Sequence, residues 1–272
     1  MPAPVTNRTV SSGTVQKADV FDASQVTGAQ LAALKTSNPL LASTLSTAKA
    51  TFAAQLAAKP SARVLVFTSA GNGQKPVVVV VPPGYSASKP TTVQTHYHGD
   101  RTSAAAAKGS HTLRMAEKLK SDPQTVWVVP EARANVNANG TDWSNVISQK
   151  QTTDEAIKLA GLGSVTRKVV SVHSAGGRAL AKAMLKPNSV EADQLRLLDC
   201  LFEATNGPGA ATAITKGLPA LKVKDIVLVA TGSYPASRDR ALIAASQGRA
   251  HLEKLQKVPG FSDHEAAVRS QL

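Results

Sequence analysis

Aromatic side chains are scarce in this sequence: five Phe, three Tyr and two Trp make up 4% of 272 residues. Proteins that hold single-stranded nucleic acid stack its bases on such rings. Here the rings are scattered, which argues against a nucleic-acid partner. Cysteine is scarcer still. The one thiol, Cys200, lies in an apolar run, has no internal partner for a disulfide, and reads as a buried structural residue. Cysteine usage therefore does not fix the redox compartment. No apolar run approaches the roughly 20 residues that cross a bilayer, so no transmembrane segment is expected. The amino terminus, Met1 to Thr6, lacks the charged and apolar regions of a signal peptide. The expectation is a soluble protein, cytoplasmic or exported by another route.

Acidic residues are also in short supply. Eighteen Asp and Glu stand against 31 Lys and Arg, a formal net charge of +13. Such a balance favours anionic partners, or a substrate that is anionic or attached to an anionic surface. The basic residues are spread along the chain without a block of five or six, the pattern of a solvated face. Apolar residues make up 42%, enough for a sizeable core. The length fits one large domain, or one domain with an added arm.

Residues 1–25 show little periodicity and read as an extended segment. A helix is expected over 27–36. A second begins at Asn38 as N-cap with Pro39 in the first turn. Leu41, Leu45, Ala48, Phe52 and Leu56 then form one apolar stripe, and Pro60 closes the segment. The domain expectation is an N-terminal helical arm over 1–60 and a larger unit over 61–272.

From residue 62 the pattern becomes that of strands. Arg63–Thr68 and Val77–Val81 flank Gly71-Asn72-Gly73, a hairpin signal. A third strand is expected over Thr91–Tyr97, a helix over 103–120, and a strand over Thr125–Val129. A loop of about twenty residues follows, rich in Asn and carrying Trp143, longer than most connections and hence a candidate site lining. Thr152-Thr153-Asp154-Glu155 reads as a capping box opening a helix that ends near Gly161. Further strands are expected over Lys168–Val172, Leu195–Leu198 and Asp225–Ala230, a charged helix over 237–255, and a short helix after His264. Alternation of strand and helix from 91 to 255 implies a doubly wound, mostly parallel α/β sheet.

The most informative stretch is Lys168 to Leu185. A β-branched run ends at His173, a helix-forming run begins at Ala175, and Ser174 with Gly176-Gly177 fills the turn between them. A turn this tight lifts the serine hydroxyl above the sheet and aims the first helical N–H groups at whatever it attacks. The stretch resembles the nucleophile elbow of the α/β-hydrolase superfamily, with Val172 standing where that family usually has glycine. Val77 to Gly99, ending in His98-Gly99, is similar to the family's opening sheet.

The resemblance implies a serine hydrolase without metal or organic cofactor, acting on a carboxylester by default and on an amide or peptide bond as the alternative. It implies Ser174 as nucleophile and, in the order serine, acid, histidine, His264 as the base. Asp199, at the end of Leu195–Leu198, is the expected acid, with Glu203 as the alternative and Asp239 or Asp263 behind them. Oxyanion donors would be the N–H of Ala175 and that of Asp100 or Arg101. His98, Gly99, His173 and Trp143 would line the substrate. His251, inside the charged helix pattern, reads as a solvated residue.

Two other functions are compatible with the residues. His96-Tyr97-His98-Gly99-Asp100 is an H-x-H-x-D string that resembles the zinc motif of the metallo-β-lactamase superfamily, except that Arg101 replaces the histidine that follows there. His173, Asp199 and His264 would have to complete the ligand set. A catalytically inactive hydrolase fold serving as a basic binding module is the other, motivated by Val172 and the net charge.

Overall fold

A computed structural model of the chain describes residues 20–53, 57, 62–99, 121–132, 143–201, 209–231, 236–253, 262–263 and 266–267. Nine strands form one sheet in the order β1-β2-β3-β5-β4-β6-β7-β8-β9. They are β1 (Val20–Asp22), β2 (Arg63–Ser69), β3 (Lys75–Val81), β4 (Thr91–Tyr97), β5 (Thr125–Pro130), β6 (Val165–His173), β7 (Gln194–Leu198), β8 (Asp225–Val229) and β9 (Ala250–Glu253). From β5 through β4 to β9 every pairing is parallel, while β1, β2 and β3 pair antiparallel at the other end. The sheet is the doubly wound, mostly parallel one expected.

The described helices are α1 (Gly28–Ser37), α2 (Pro39–Thr51), α3 (Gln149–Ala160), α4 (Gly176–Met184), α5 (Ala210–Gly217) and α6 (Ala236–Ala245). They cover both faces, and the valine run of β3 shows why. Val78 and Val80 pack with Leu41, Leu45, Ala48 and Phe52 of the α2 stripe. Val77, Val79 and Val81 pack on the opposite face with Ala156 and Ala160 of α3. A strand buried on both faces has no polar alternation to display. Along β6 to β8, Val170, Val172, Leu195, Leu197, Ile226 and Leu228 meet Ala179, Leu180 and Ala183 of α4 and Ile214 of α5. Burying one Leu or Phe side chain contributes roughly 1.5–3 kcal/mol, so these layers, not intrinsic propensity, hold the helices.

Several expectations shift. Residues 20–22, expected within an extended segment, pair with β2 and extend the sheet. Helix α3 starts three residues before the expected capping box: Ser148 is its N-cap, accepting from the Gln151 N–H. Thr152 and Thr153 are buried inside the helix, where the Thr153 hydroxyl meets that of Thr95. Gly161 closes α3 at φ +58, as a left-handed C-cap should. The charged helix expected over 237–255 is wrong in its second half. It ends at Ala245, and Gln247 and Gly248 at φ 56 and 80 turn the chain back into β9. His251 therefore lies on an edge strand, within 3.3 Å of Asp225 and of Glu253. The helix expected over 103–120 lies outside the described residues.

Candidate active site

Strands β4, β6 and β7 lie side by side and end together, with His173 of β6 in register with Leu198 of β7. The sheet thus brings residues 98–99, 174 and 199 to one edge, although up to 100 positions separate them in sequence. Open parallel sheets meet ligands at the carboxyl ends of their strands.

Ser174 sits between β6 and α4 with φ +51, in the left-handed region. A side chain there costs a serine about 1–2 kcal/mol, so the surroundings must impose it. The Ser174 N–H donates to the Leu198 carbonyl at 3.3 Å, and the Ser174 carbonyl accepts from the Gly177 N–H at 3.0 Å. The two glycines make the turn possible by close approach. A Cβ on Gly176 would stand 2.2 Å from the Tyr97 carbonyl oxygen, and one on Gly177 2.4 Å from that of Cys200. Strand ends β4 and β7 therefore clasp the start of α4 from either side. Val172, in the position where glycine is usual, stays within β6, fully buried and in register with Tyr97 and Leu197. The turn begins beyond it. Ser174 itself is partly exposed, and Ala175 opens α4 with no side-chain cap.

Gly99 approaches the serine from the end of β4. A Cβ there would stand 3.0 Å from Ser174 Cβ and 3.0 Å from His173 Nδ1. His173 is itself buried. His98 is buried too, and its Nδ1 donates to the Gly99 carbonyl at 2.9 Å. His98 Nε2 lies 3.5 Å from Glu131 Oε1, just past the end of β5. The ring of Trp143 packs 4.8 Å from that of His98 and edge-on to Tyr97 at 5.4 Å. Trp143, expected to line the site from a long loop, is only 2% exposed and belongs to the core behind it.

Asp199 follows β7 at φ +44 and is fully buried. Its N–H donates to the Val229 carbonyl at 2.8 Å, and its Oδ2 accepts from the Thr231 hydroxyl at 2.7 Å. Burial, reinforced by the Asp199 charge, raises the Cys200 thiol above its ordinary range, and raises Asp239 in the same way. Thr231 carries no motif of its own in the sequence. It marks the end of β8, and the strand-end rule that selected Asp199 would have found it.

His264, Glu203, Asp100 and Arg101 lie outside the described residues. Asp263 is described and exposed. His96 is buried on β4 with its Nδ1 2.9 Å from the Ser171 hydroxyl. Among the described residues, no group of three or more His, Cys, Asp and Glu is placed to hold a metal ion, and no helix is long and apolar enough to cross a membrane.

This strand order, with β3 reversed and a serine turn leading from the sheet into α4, is the α/β-hydrolase fold. No protein-family model and no curated protein matches the sequence. Among solved structures, the propionate-bound esterase 2 of Thermogutta terrifontis superposes with a TM-score of 0.51 at 14% identity, over 72% of this chain and 83% of that one. The same esterase phosphorylated by paraoxon superposes with a TM-score of 0.51 at 13% identity, over 78% and 92%. An S-formylglutathione hydrolase from Agrobacterium tumefaciens aligns with 77% of this chain and 91% of its own at 13% identity and a TM-score of 0.49. At such identities the likeness is one of fold.

Proposed function

We propose that the protein is a serine hydrolase that cleaves carboxylesters through an acyl-enzyme on Ser174. The observation that carries this reading is the left-handed φ of Ser174 at the junction of β6 and α4. Strain of this kind at a non-glycine residue persists where surrounding structure enforces it, and it gathers at functional sites. The partial exposure of Ser174, the close approach of Gly99 and the buried Asp199 beside it support the same reading. So does the likeness to an esterase that is phosphorylated by paraoxon.

In this mechanism His264 takes the Ser174 proton as Oγ attacks the ester carbonyl, and Asp199 holds the imidazole in the required tautomer. The N–H of Ala175, at the start of α4, and that of Asp100 or Arg101 receive the oxyanion. The intermediate collapses, and the alcohol leaves with the proton held by His264. Water then loses a proton to the same imidazole, attacks the acyl carbon, and releases the carboxylic acid and free serine. His98, Gly99 and His173 shape the floor beside the nucleophile. No organic or metal cofactor takes part. The excess of basic residues suits an anionic ester, or one held on an anionic surface, better than a long apolar lipid.

The test is labelling with paraoxon or a fluorophosphonate, followed by peptide mapping. The expected result is one phosphoryl adduct on Ser174, loss of labelling in Ser174→Ala, and hydrolysis of short p-nitrophenyl esters by the wild type only. A properly folded wild type that neither labels nor hydrolyses overturns the proposal.

A further inference from the structure

We propose that the outer edge of β9 is a docking site for a second copy of this chain, the two β9 strands pairing antiparallel about a twofold axis beside Leu252. Such a contact depends on the sheet alone and stands apart from the chemistry at Ser174.

Among the described residues, β9 is the last strand of the sheet, and it pairs in parallel with β8. In a parallel ladder a strand turns the N–H and C=O of alternate residues towards its neighbour. The Ile226 N–H donates to the Arg249 carbonyl at 2.9 Å, so the backbone groups of Arg249, His251 and Glu253 face β8. Those of Ala250 and Leu252 point away from it. The Ala250 N–H is given to the Ser246 hydroxyl at 3.1 Å. Leu252 is left as the residue that presents both a donor and an acceptor outward, and it is itself 55% exposed. An edge of this kind is a template for another strand unless something blunts it. Between Ala250 and Glu253 there is no Pro, no Lys and no bulge to do so.

What the strand carries is complementary to itself. An antiparallel pair centred on Leu252 sets that residue opposite its own copy, each N–H donating to the other's carbonyl. The flanking positions form the closer, non-hydrogen-bonded pairs, and they place His251 of each copy opposite Glu253 of the other. His251 and Glu253 share one face of β9 at 3.3 Å, with side chains 51% and 37% exposed. Asp225 of β8 lies 3.3 Å from His251 Nδ1, so the imidazole is anchored on that side and can turn Nε2 from its own Glu253 to that of the second copy. The two leucines meet on the opposite face. Opposite charges directly across a strand pair stabilise it, and like charges oppose it. An axis moved to His251 would set imidazole against imidazole, and the Ala250 N–H it requires is already given to Ser246. The contact consumes the same edge on both copies and therefore closes at two. Four residues make a short ladder, so the dimer is weak and reversible.

The test is sedimentation velocity on the full chain at loadings from about 5 to about 500 µM, the range in which small contacts are populated. Near-physiological ionic strength is used, because two copies of charge +13 repel at long range. The wild type is expected to dimerise reversibly. Leu252→Pro deletes the outward N–H without touching the ladder to β8, a change edge strands tolerate, and should be monomeric throughout. His251→Glu sets acids opposite acids, and the double variant His251→Lys/Glu253→Lys sets bases opposite bases. Each alone should dimerise at least about tenfold more weakly than wild type, whereas an equimolar mixture of the two should form a heterodimer within about threefold of the wild-type affinity. Should Leu252→Pro fail to fold, this rescue in trans carries the decision, since no change in either chain's own stability produces it. A wild type that stays monomeric at every loading overturns the inference, and so does a dimer indifferent to all of these substitutions. Neither result touches hydrolysis at Ser174, which paraoxon labelling reads separately.

Discussion

The hydroxyl of Thr231 donates to Oδ2 of Asp199 at 2.7 Å, joining the carboxyl ends of β8 and β7. A polar group buried without partners costs free energy, and a hydrogen bond to a charged group contributes about 1.5–3 kcal/mol. Asp199→Asn is expected to lower kcat by roughly 10⁴-fold, because the amide would select the wrong tautomer of the base. Thr231→Val should cost about tenfold, the equivalent of one such bond weakened. Steady-state hydrolysis of a p-nitrophenyl ester checks both. Wild-type kcat in the two variants would remove Asp199 from the proposed mechanism.

The strain at Ser174 has a measurable signature of its own. Ser174→Gly and Ser174→Ala both lose the hydroxyl, but glycine relieves the left-handed backbone at φ +51 and alanine does not. In urea unfolding the glycine variant should be the more stable of the two, after allowance for the roughly 0.5–1 kcal/mol that glycine loses to its greater freedom in the unfolded chain. Both should be inactive. An alanine variant clearly more stable than the glycine variant would mean that the turn relaxes.

Gly176→Ala would drive a methyl group to 2.2 Å from the Tyr97 carbonyl, a backbone atom in the middle of the site that has no rotamer to give way. The overpacking should destabilise the protein by about 1–3 kcal/mol. Because the displacement separates α4 from β4, ester hydrolysis per folded molecule should fall by more than tenfold. Circular dichroism melts together with titrated rates distinguish the two effects. Unchanged activity would show that the clasp between β4 and α4 is not needed.

On the surface, Lys150 and Lys168 each bridge Asp154 and Glu191 at 2.6–3.0 Å, tying α3 to β6 and to the segment before β7. Hydrogen bonds from Lys150 and Lys168 hold the Glu191 carboxyl below the usual carboxylate range. A carboxylate whose folded value is depressed contributes stability above its unfolded value, and that contribution disappears as pH falls through the folded one. The difference in unfolding free energy between wild type and Glu191→Gln should therefore be constant near neutrality and shrink towards zero below about pH 4. Glu191 is 46% exposed, so water and salt screen it, and the plateau should not exceed about 1 kcal/mol. Urea titrations from pH 3 to 7 test this, and a difference that persists at pH 3 would contradict it.

The elements recovered from sequence are those whose signal is local. The strand Thr91–Tyr97 has the ends its sequence predicts, because β-branched residues and a preceding proline mark a strand without help from elsewhere. The Leu41, Leu45, Ala48 and Phe52 stripe is buried as expected, between 0 and 3% exposed. Strand β9 is hidden in the sequence because Ala, Arg and Lys around it favour a helix; Gln247-Gly248, the break that ends α6, is the local signal against one. The start of α3 differs from expectation for the opposite reason. Thr152-Thr153-Asp154-Glu155 imitates a cap, yet Ser148 holds the real one, since the two threonines are wanted inside against Ser69 and Thr95. The length of its loop points Trp143 to the site, but the anchor that draws it into the core, Gly71 with Asn72, lies some seventy residues earlier.

The sequence by itself determined the serine turn, the glycines that permit it and the alternation of strand and helix, because each depends on backbone preferences over a few consecutive residues. Only the tertiary structure decided which polar groups face one another: Thr231 on Asp199, Glu131 on His98, and Asn72 beneath both Glu131 and Asn145. Those contacts follow from the order in which parallel strands are laid into the sheet, and neighbours in a sheet are chosen by packing on both of its faces rather than by distance along the chain.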